Sequence, residues 1–167
     1  MHWLPEEVSM RDDITDWNEK LTPEEKGLLT QLFRFFTQGD VQIASGYYDK
    51  YMPVFGGHPE VKAMMGSFAG MEIIHIRAYA LLLDTIGMPE SEYQAFTQYD
   101  AMKNKYAYLE QTKMDINDKR SIAKGLAIYS AFTEGLQLFS SFAILLNFPR
   151  QNKMKGMGQI VTWSQRD

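Results

Sequence analysis

The chain has 167 residues, enough for a domain with a substantial core, and no cysteine, which excludes disulfides, thiolate nucleophiles and Cys-ligated zinc or iron–sulfur centres. A formal net charge of −4, with basic residues scattered apart from a loose group at Arg150, Lys153 and Lys155, argues against nucleic acid as the main partner. The opening MHWLPEEV lacks the basic and apolar regions of a secretory leader, and the longest nearly uncharged run, 125–149, carries Glu134 and several Ser, Thr, Gln and Asn residues; no leader, no membrane span and a cytoplasmic location are therefore expected.

Residues 1–21 read as an irregular arm, with Trp3 as an apolar anchor ahead of the charged run RDDITDWNEK. A helix begins at Thr22, where Pro23 suits the first helical position and Glu25 completes a capping box. The spacing of Leu28, Leu29, Leu32, Phe33 and Phe36 carries this helix to about Tyr51, ahead of Pro53. A Gly-rich turn follows at 54–59, and the next helix spans 60–87. Pro89 and its neighbours open a third helix over 91–111, and a polar break at 115–118 leads to a long helix over 119–146, closed by Asn147 and Pro149. A last helix is expected within 154–167. No strand-like alternation or repeat is present, so the fold class is all-α, built from long antiparallel helices.

Chemistry concentrates on 68–83, FAGMEIIHIRAYALLL, which is apolar on nearly every side and so reads as a helix buried all round. Glu72, His75 and Tyr79 fall at i, i+3 and i+7, on one face. A carboxylate and an imidazole inside a core are costly unless paired or bound to a metal. Two other helices each carry one isolated acid in apolar surroundings. Asp40 shares a face with Phe33, Phe36, Ala44 and Tyr47, and Glu134 is the one charge between Lys124 and Arg150. Each has an ordinary structural reading: Asp40 as a cap or hydrogen-bond partner, Glu134 as a partner of a backbone group or of Arg77, Tyr79 as a core aromatic. Three such acids on three long helices favour a bound cation, and oxygen donors with a single imidazole suit iron or manganese.

Trp3 with PEEV, the capped helix ending in FTQGD, EIIHIRAY, TEGLQLFSSF and the final WSQRD occur in an order and spacing that resemble the N-terminal part of the small, radical-generating subunit of class I ribonucleotide reductase. The resemblance implies an incomplete ferritin-like helical bundle over 22–167, preceded by the arm 1–21. It implies that Asp40, Glu72, His75 and Glu134 are ligands of a dinuclear iron or manganese centre that reacts with O2, and that Tyr79 holds the radical. Leu138 and Phe142 match the apolar wall around it, and Trp3 and Asp167 match the start of a radical-transfer route through His75. The HPE turn at 58–60 makes Gln38 a competitor for the role of Asp40.

The family places a second Glu-x-x-His directly after an Arg-Asp pair, and here Arg166-Asp167 are the last residues. His2 and His58, in the arm and a loop, are poor substitutes. The partners implied are the large subunit, the C-terminal part of the small subunit and, for the complete protein, a second copy. Without that C-terminal part the chain is expected to be inactive and to expose an apolar face, as from a gene divided by an intron, an intein or an inserted endonuclease. The other readings are a ferritin-like dimetal oxidase that does not act on ribonucleotides, and a non-catalytic assembly piece complementing a separately encoded half.

Overall fold

A computed structural model describes residues 2–89 and 91–167, with the backbone alone at 93, 94, 96 and 97. Among the described residues every regular element is helical. The helices are α1 (Arg11–Thr15), α2 (Pro23–Gly46), α3 (Pro59–Ile86), α4 (Asp100–Gln111), α5 (119–145) and α6 (Lys155–Ser164).

The expected capping box is present. Glu25 N–H donates to Thr22 Oγ1 at 3.2 Å, and Thr22 N–H donates to Glu25 Oε2 at 2.9 Å. α3 ends at Gly87, whose φ of 76° is the left-handed conformation that glycine adopts without strain, and Met88 N–H closes on Leu83 O at 3.0 Å.

Four boundaries differ from the expected ones. The arm is not irregular: a 3-10 turn at Pro5–Glu7 precedes α1, which runs into a π-turn at Asp16–Lys20. Its polar run hides this because Asp13 and Asp16 are buried by hydrogen bonding rather than by apolar packing. α2 does not stop before Pro53; it widens into a π-turn at Tyr47–Tyr51 and re-forms at Met52–Phe55. There Pro53 occupies the first turn of the new segment, where its missing N–H costs little. The helix expected over 91–111 is interrupted: Ser91–Gln94 and a 3-10 turn at Ala95–Gln98 lead to an extended Tyr99 before α4 starts. Glu90, in the expected start of that helix, lies outside the described residues. Finally, α5 is α-helical at Lys119–Leu126 and Phe139–Leu145 but π-helical at Ala127–Leu138. Thr133 Oγ1 donates to Ile128 O at 2.8 Å within that wider segment.

α2 and α3 pack antiparallel, and the core falls into two clusters. The larger contains Leu29, Phe33 and Phe36 of α2, Tyr79, Leu82 and Leu83 of α3, Phe142 and Leu145 of α5, and Met157, Ile160 and Val161 of α6. The smaller contains Tyr51, Met65, Ile128 and Tyr129. Asp40, Glu72 and Glu134 each fall, along their own helix, between the residues of one cluster and those of the other. The helix pairing thus places a polar layer between two apolar blocks.

The cap at Thr22 anchors the start of this pairing, and its Glu25 also accepts from Lys153 Nζ at 2.7 Å. Thr22→Ala is expected to destabilise the chain by about 1 kcal/mol, read as a lower urea midpoint with an unchanged m-value. An unchanged midpoint would remove the cap from the folding energetics.

Candidate metal centre

Asp40 from α2 and Glu72 with His75 from α3 are buried, and each offers a ligand atom within 4.8 Å of the other two. Asp40 rather than the half-buried Gln38 is the α2 residue that meets the α3 pair. Glu134 faces the same place from the π-helical part of α5. It lines a cleft of about 430 Å³ together with Glu72, His75, Leu138, Phe142 and Asp167. Tyr47, one helical face along from Asp40, points its hydroxyl at Glu134 Oε1 at 3.4 Å. Sequence phase puts Tyr47 on the face of Asp40, and its hydroxyl also meets Glu134 in the π-helical part of α5. Arg77 is not the partner of Glu134; it pairs at the surface with Glu6 at 2.9 Å. His2 and His58 are exposed, and His58 precedes α3 by a distance of roughly 25 Å from His75 along the helix axis.

The electrostatics of this cluster show a deficit of positive charge. Burial pushes the Asp40 carboxyl well above the usual range, and the neighbouring Glu72 adds to the shift. Burial and Glu72 likewise push Glu134 up to about 7. Burial alone would pull the His75 imidazole down, but hydrogen bonding and charge from Glu72, with a contribution from Asp167, outweigh it and raise it to about 9. A cation bound among these groups would favour their ionised carboxylates and the neutral imidazole, and so lower all three values. Asp40, Glu72 and His75 come together from two helices, while Glu134 of a third lines the same cleft outside that close group; oxygen donors with one imidazole are the hard set that iron and manganese prefer, so the residues fit such a metal.

Behind His75 lies an ordered chain of contacts. His75 Nε2 is 3.0 Å from Asp167 Oδ2, and Trp3 Nε1–H donates to the same oxygen at 2.8 Å. Nε2 bonded to a carboxylate leaves Nδ1 turned to the cluster, 3.4 Å from Glu72 Oε2. The Trp3 ring stacks on His75 with centroids 6.2 Å apart and packs against Trp163 at 5.3 Å. Trp3 is therefore both an anchor of the arm and a hydrogen-bond donor to the site.

Tyr79 is 1% exposed, stacked on Phe36 at 4.8 Å, and Phe36 in turn stacks on Phe142 at 5.3 Å. The Tyr79 and Ser164 hydroxyls are both buried and face each other, too poorly placed for a well-formed hydrogen bond but close enough for Ser164 to oppose the rise in the phenol's pKa. Burial holds the Tyr79 phenol well above its ordinary pKa, and the charge of Asp40 adds to this. The wall around Tyr79 thus includes Phe36, which sequence phase had assigned only to the face of Asp40.

Across residues 1–167 the chain matches the family described as "Ribonucleotide reductase, small chain". The chain belongs to that family. It is 51% identical to a protein of Invertebrate iridescent virus 6 described as a probable ribonucleoside-diphosphate reductase small subunit, over 98% of this chain and 48% of that protein. A protein of the same description from Invertebrate iridescent virus 3 is 41% identical over 99% of this chain and 48% of its own length. The chain thus spans about half the length of these small subunits. In fold it is similar to the ribonucleotide reductase R2 subunit from Clostridium botulinum, with a TM-score of 0.87 at 20% identity, covering 99% of this chain and 53% of that one. It is equally similar to an R2-like ligand-binding oxidase from Sulfolobus acidocaldarius, with a TM-score of 0.86 at 18% identity over 98% and 62% of the two chains. These likenesses establish the ferritin-like architecture of the small-chain family. Among the described residues no helix is long and apolar enough to cross a membrane.

The raised carboxyl and imidazole groups fix the sign of the pH dependence. Glu134 titrates near 4.5 when unfolded and near 7 when folded, so the folded chain holds the extra proton between these values. The stability it contributes is complete below pH 4.5 and lost as pH rises through 7. His75 acts with the same sign, between 6.5 and 9. The urea midpoint of the metal-free chain should therefore fall from pH 4.5 to 9, and Glu134→Gln should flatten the lower half of that decline. A midpoint that rises between pH 5 and 7 would contradict the charge deficit.

Proposed function

We propose that this chain is the metal- and radical-bearing part of a ribonucleotide reductase small subunit, in which Asp40, Glu72, His75 and Glu134 hold a dinuclear iron or manganese centre. The observation that carries this reading is the unbroken contact series from Trp3 through Asp167 to His75 and on to the acid cluster. A site that only oxidised a bound ligand would have no need of a polar wire leading from the metal to the surface arm. This favours the reductase over the oxidase reading, which the fold alone leaves equal. R2-like oxidases of the same fold are described with an Mn/Fe cofactor, which supports iron, manganese or a mixed pair here. When bound, such a centre supplies the O2 chemistry that oxidises a phenol.

The chain's own residues then have separable tasks. The four ligands neutralise the metal charge in a place where burial otherwise forces protons onto Asp40 and Glu134. Asp167 fixes the His75 tautomer, with the proton on Nε2. Tyr79 would give up one electron and its phenolic proton to the oxidant that such a centre supplies, and Phe36 with Phe142 behind it, together with Leu138, would keep water and reductants from it. Trp3 and Asp167 pass the oxidising equivalent on towards the large subunit, where ribonucleoside diphosphates are reduced.

Four ligands on three helices leave a two-metal site incomplete, because such sites draw a second Glu-x-x-His from a fourth helix. We assign that contribution to the half of the small subunit that the relatives have and these 167 residues do not span. Phe132, Leu136 and Phe139 on α5 are 61%, 64% and 51% exposed, and with Phe68 of α3 they offer an apolar face for it. The complete protein would pair with a second copy and with the large subunit.

The test is reconstitution of this chain with a complementing segment carrying the second Glu-x-x-His, followed by ferrous iron and O2. Electron paramagnetic resonance should show a tyrosyl radical that Tyr79→Phe abolishes. A signal that survives Tyr79→Phe would remove Tyr79 from the role.

A further inference from the structure

α6 has one functional end and one buried end. At its C-terminal side, Asp167 sits between Trp3 and His75. At the other end two residues adopt left-handed backbone, Asn152 with φ 63° and Met154 with φ 53°, conformations that L side chains adopt at a cost of order 1 kcal/mol or more. The first N–H groups of α6 meet carboxylates from the arm rather than water. Asp16 Oδ2 accepts from Met154 N–H at 2.7 Å, Asp13 Oδ2 from Gly156 N–H at 2.8 Å, and Asp13 Oδ1 from Met157 N–H at 2.8 Å. Asp13 is fully buried and Asp16 nearly so, with Lys20 Nζ 2.5 Å from the other Asp16 oxygen. The approach is close enough to require glycine at 156, where a Cβ would lie 2.7 Å from Asp13 Oδ2 and 2.7 Å from Ser9 O.

We propose that Asp13 and Asp16 are positioning residues for the radical-transfer route, clamping the N-terminus of α6 so that its far end holds Asp167 between Trp3 and His75. This rests on the relay role given above to those three residues. The same arm that supplies the two carboxylates also supplies Trp3, so arm and helix touch at both ends of α6. From Gly156 to Ser164, the last helical residue, the lever is about 12 Å, and a tilt of about 5° at the clamp moves that end, and the short turn carrying Asp167, by about 1 Å. A bond of 2.8 Å does not survive that displacement. Two buried carboxylates accepting three N–H bonds of 2.7, 2.8 and 2.8 Å hold the start of a helix of 10 residues by short, directional contacts.

The experiment is hydrogen exchange by nuclear magnetic resonance on the 15N-labelled 167-residue chain, reading the indole N–H of Trp3. Asp13→Asn keeps the volume of the side chain but turns one acceptor into a donor facing another N–H. It should speed exchange at Gly156 and Met157 and, through the lever, at the Trp3 indole by at least tenfold, while the amides of Leu82 and Leu83 keep their protection. Faster exchange at Gly156 and Met157 with an unchanged Trp3 indole would overturn the proposal. If Asp13→Asn does not fold, Asp16→Ala, which removes the bond to Met154 together with the ion pair to Lys20, is read in the same way, with Lys20→Ala as the control that removes the ion pair alone. Asp167→Ala separates the two layers: it should free the Trp3 indole and leave the α6 N-terminal amides protected. A Trp3 indole that already exchanges at the solvent rate in the native chain would overturn the relay reading itself, and the clamp with it.

Discussion

Two buried carboxylates, Asp40 and Glu72, and the buried imidazole of His75 share one layer with the half-buried Glu134 at its edge, and the cost of keeping these charges in a poorly solvated interior is the constraint on which the rest of the structure depends. Along α2, α3 and α5 alike, the acid sits between residues of the larger apolar cluster and residues of the smaller one. Neither cluster can close over the layer while it carries uncompensated charge, because a buried unpaired ion costs several kcal/mol. Burial holds the Asp40 and Glu134 carboxyls above their ordinary range, so the layer favours their protonated forms over uncompensated charge. Stability and metal affinity are thereby linked, since any cation entering the layer displaces the same protons.

The relay follows from the same layer. His75 can present Nδ1 to the cluster only if Nε2 is satisfied elsewhere, and Asp167 satisfies it. Asp167 is in turn held by Trp3, on an arm that has no place in the bundle itself. The arm acts as a strap: its carboxylates cap α6 at one end and its indole meets α6 at the other. The acid layer and its connection to the surface arm are thus one continuous set of contacts, with Tyr79 buried among its aromatic neighbours beside it.

Much of this was legible in the sequence because it rests on spacing. Glu-x-x-His at 72–75 with Tyr79 one turn on needs only an α-helix to bring the three side chains onto one face, and the Thr22 capping box and the Gly87 stop are local signals of the same kind. What stayed hidden depends on partners distant in the chain. Asp13 and Asp16 sit in a run that reads as solvated because nothing local announces the α6 N–H groups 138 or more residues away. The π-helical stretch of α5, which turns Glu134 towards Tyr47, carries no proline or glycine signature beyond Gly135. Arg77, a natural candidate to neutralise Glu134, points outward to Glu6 because helical phase places it away from the cluster.

The most direct measurement of the central claim is binding of manganous ion to the 167-residue chain, followed by calorimetry and by the shift in urea midpoint. If the acid layer is a cation site, Mn(II) binds, releases protons near pH 7 and stabilises the fold by about 2.7 kcal/mol at a hundredfold excess over the dissociation constant. Asp40→Asn and Glu72→Gln each abolish that stabilisation. Absence of binding, or binding that both variants retain at full strength, would contradict a metal centre built on Asp40, Glu72 and His75.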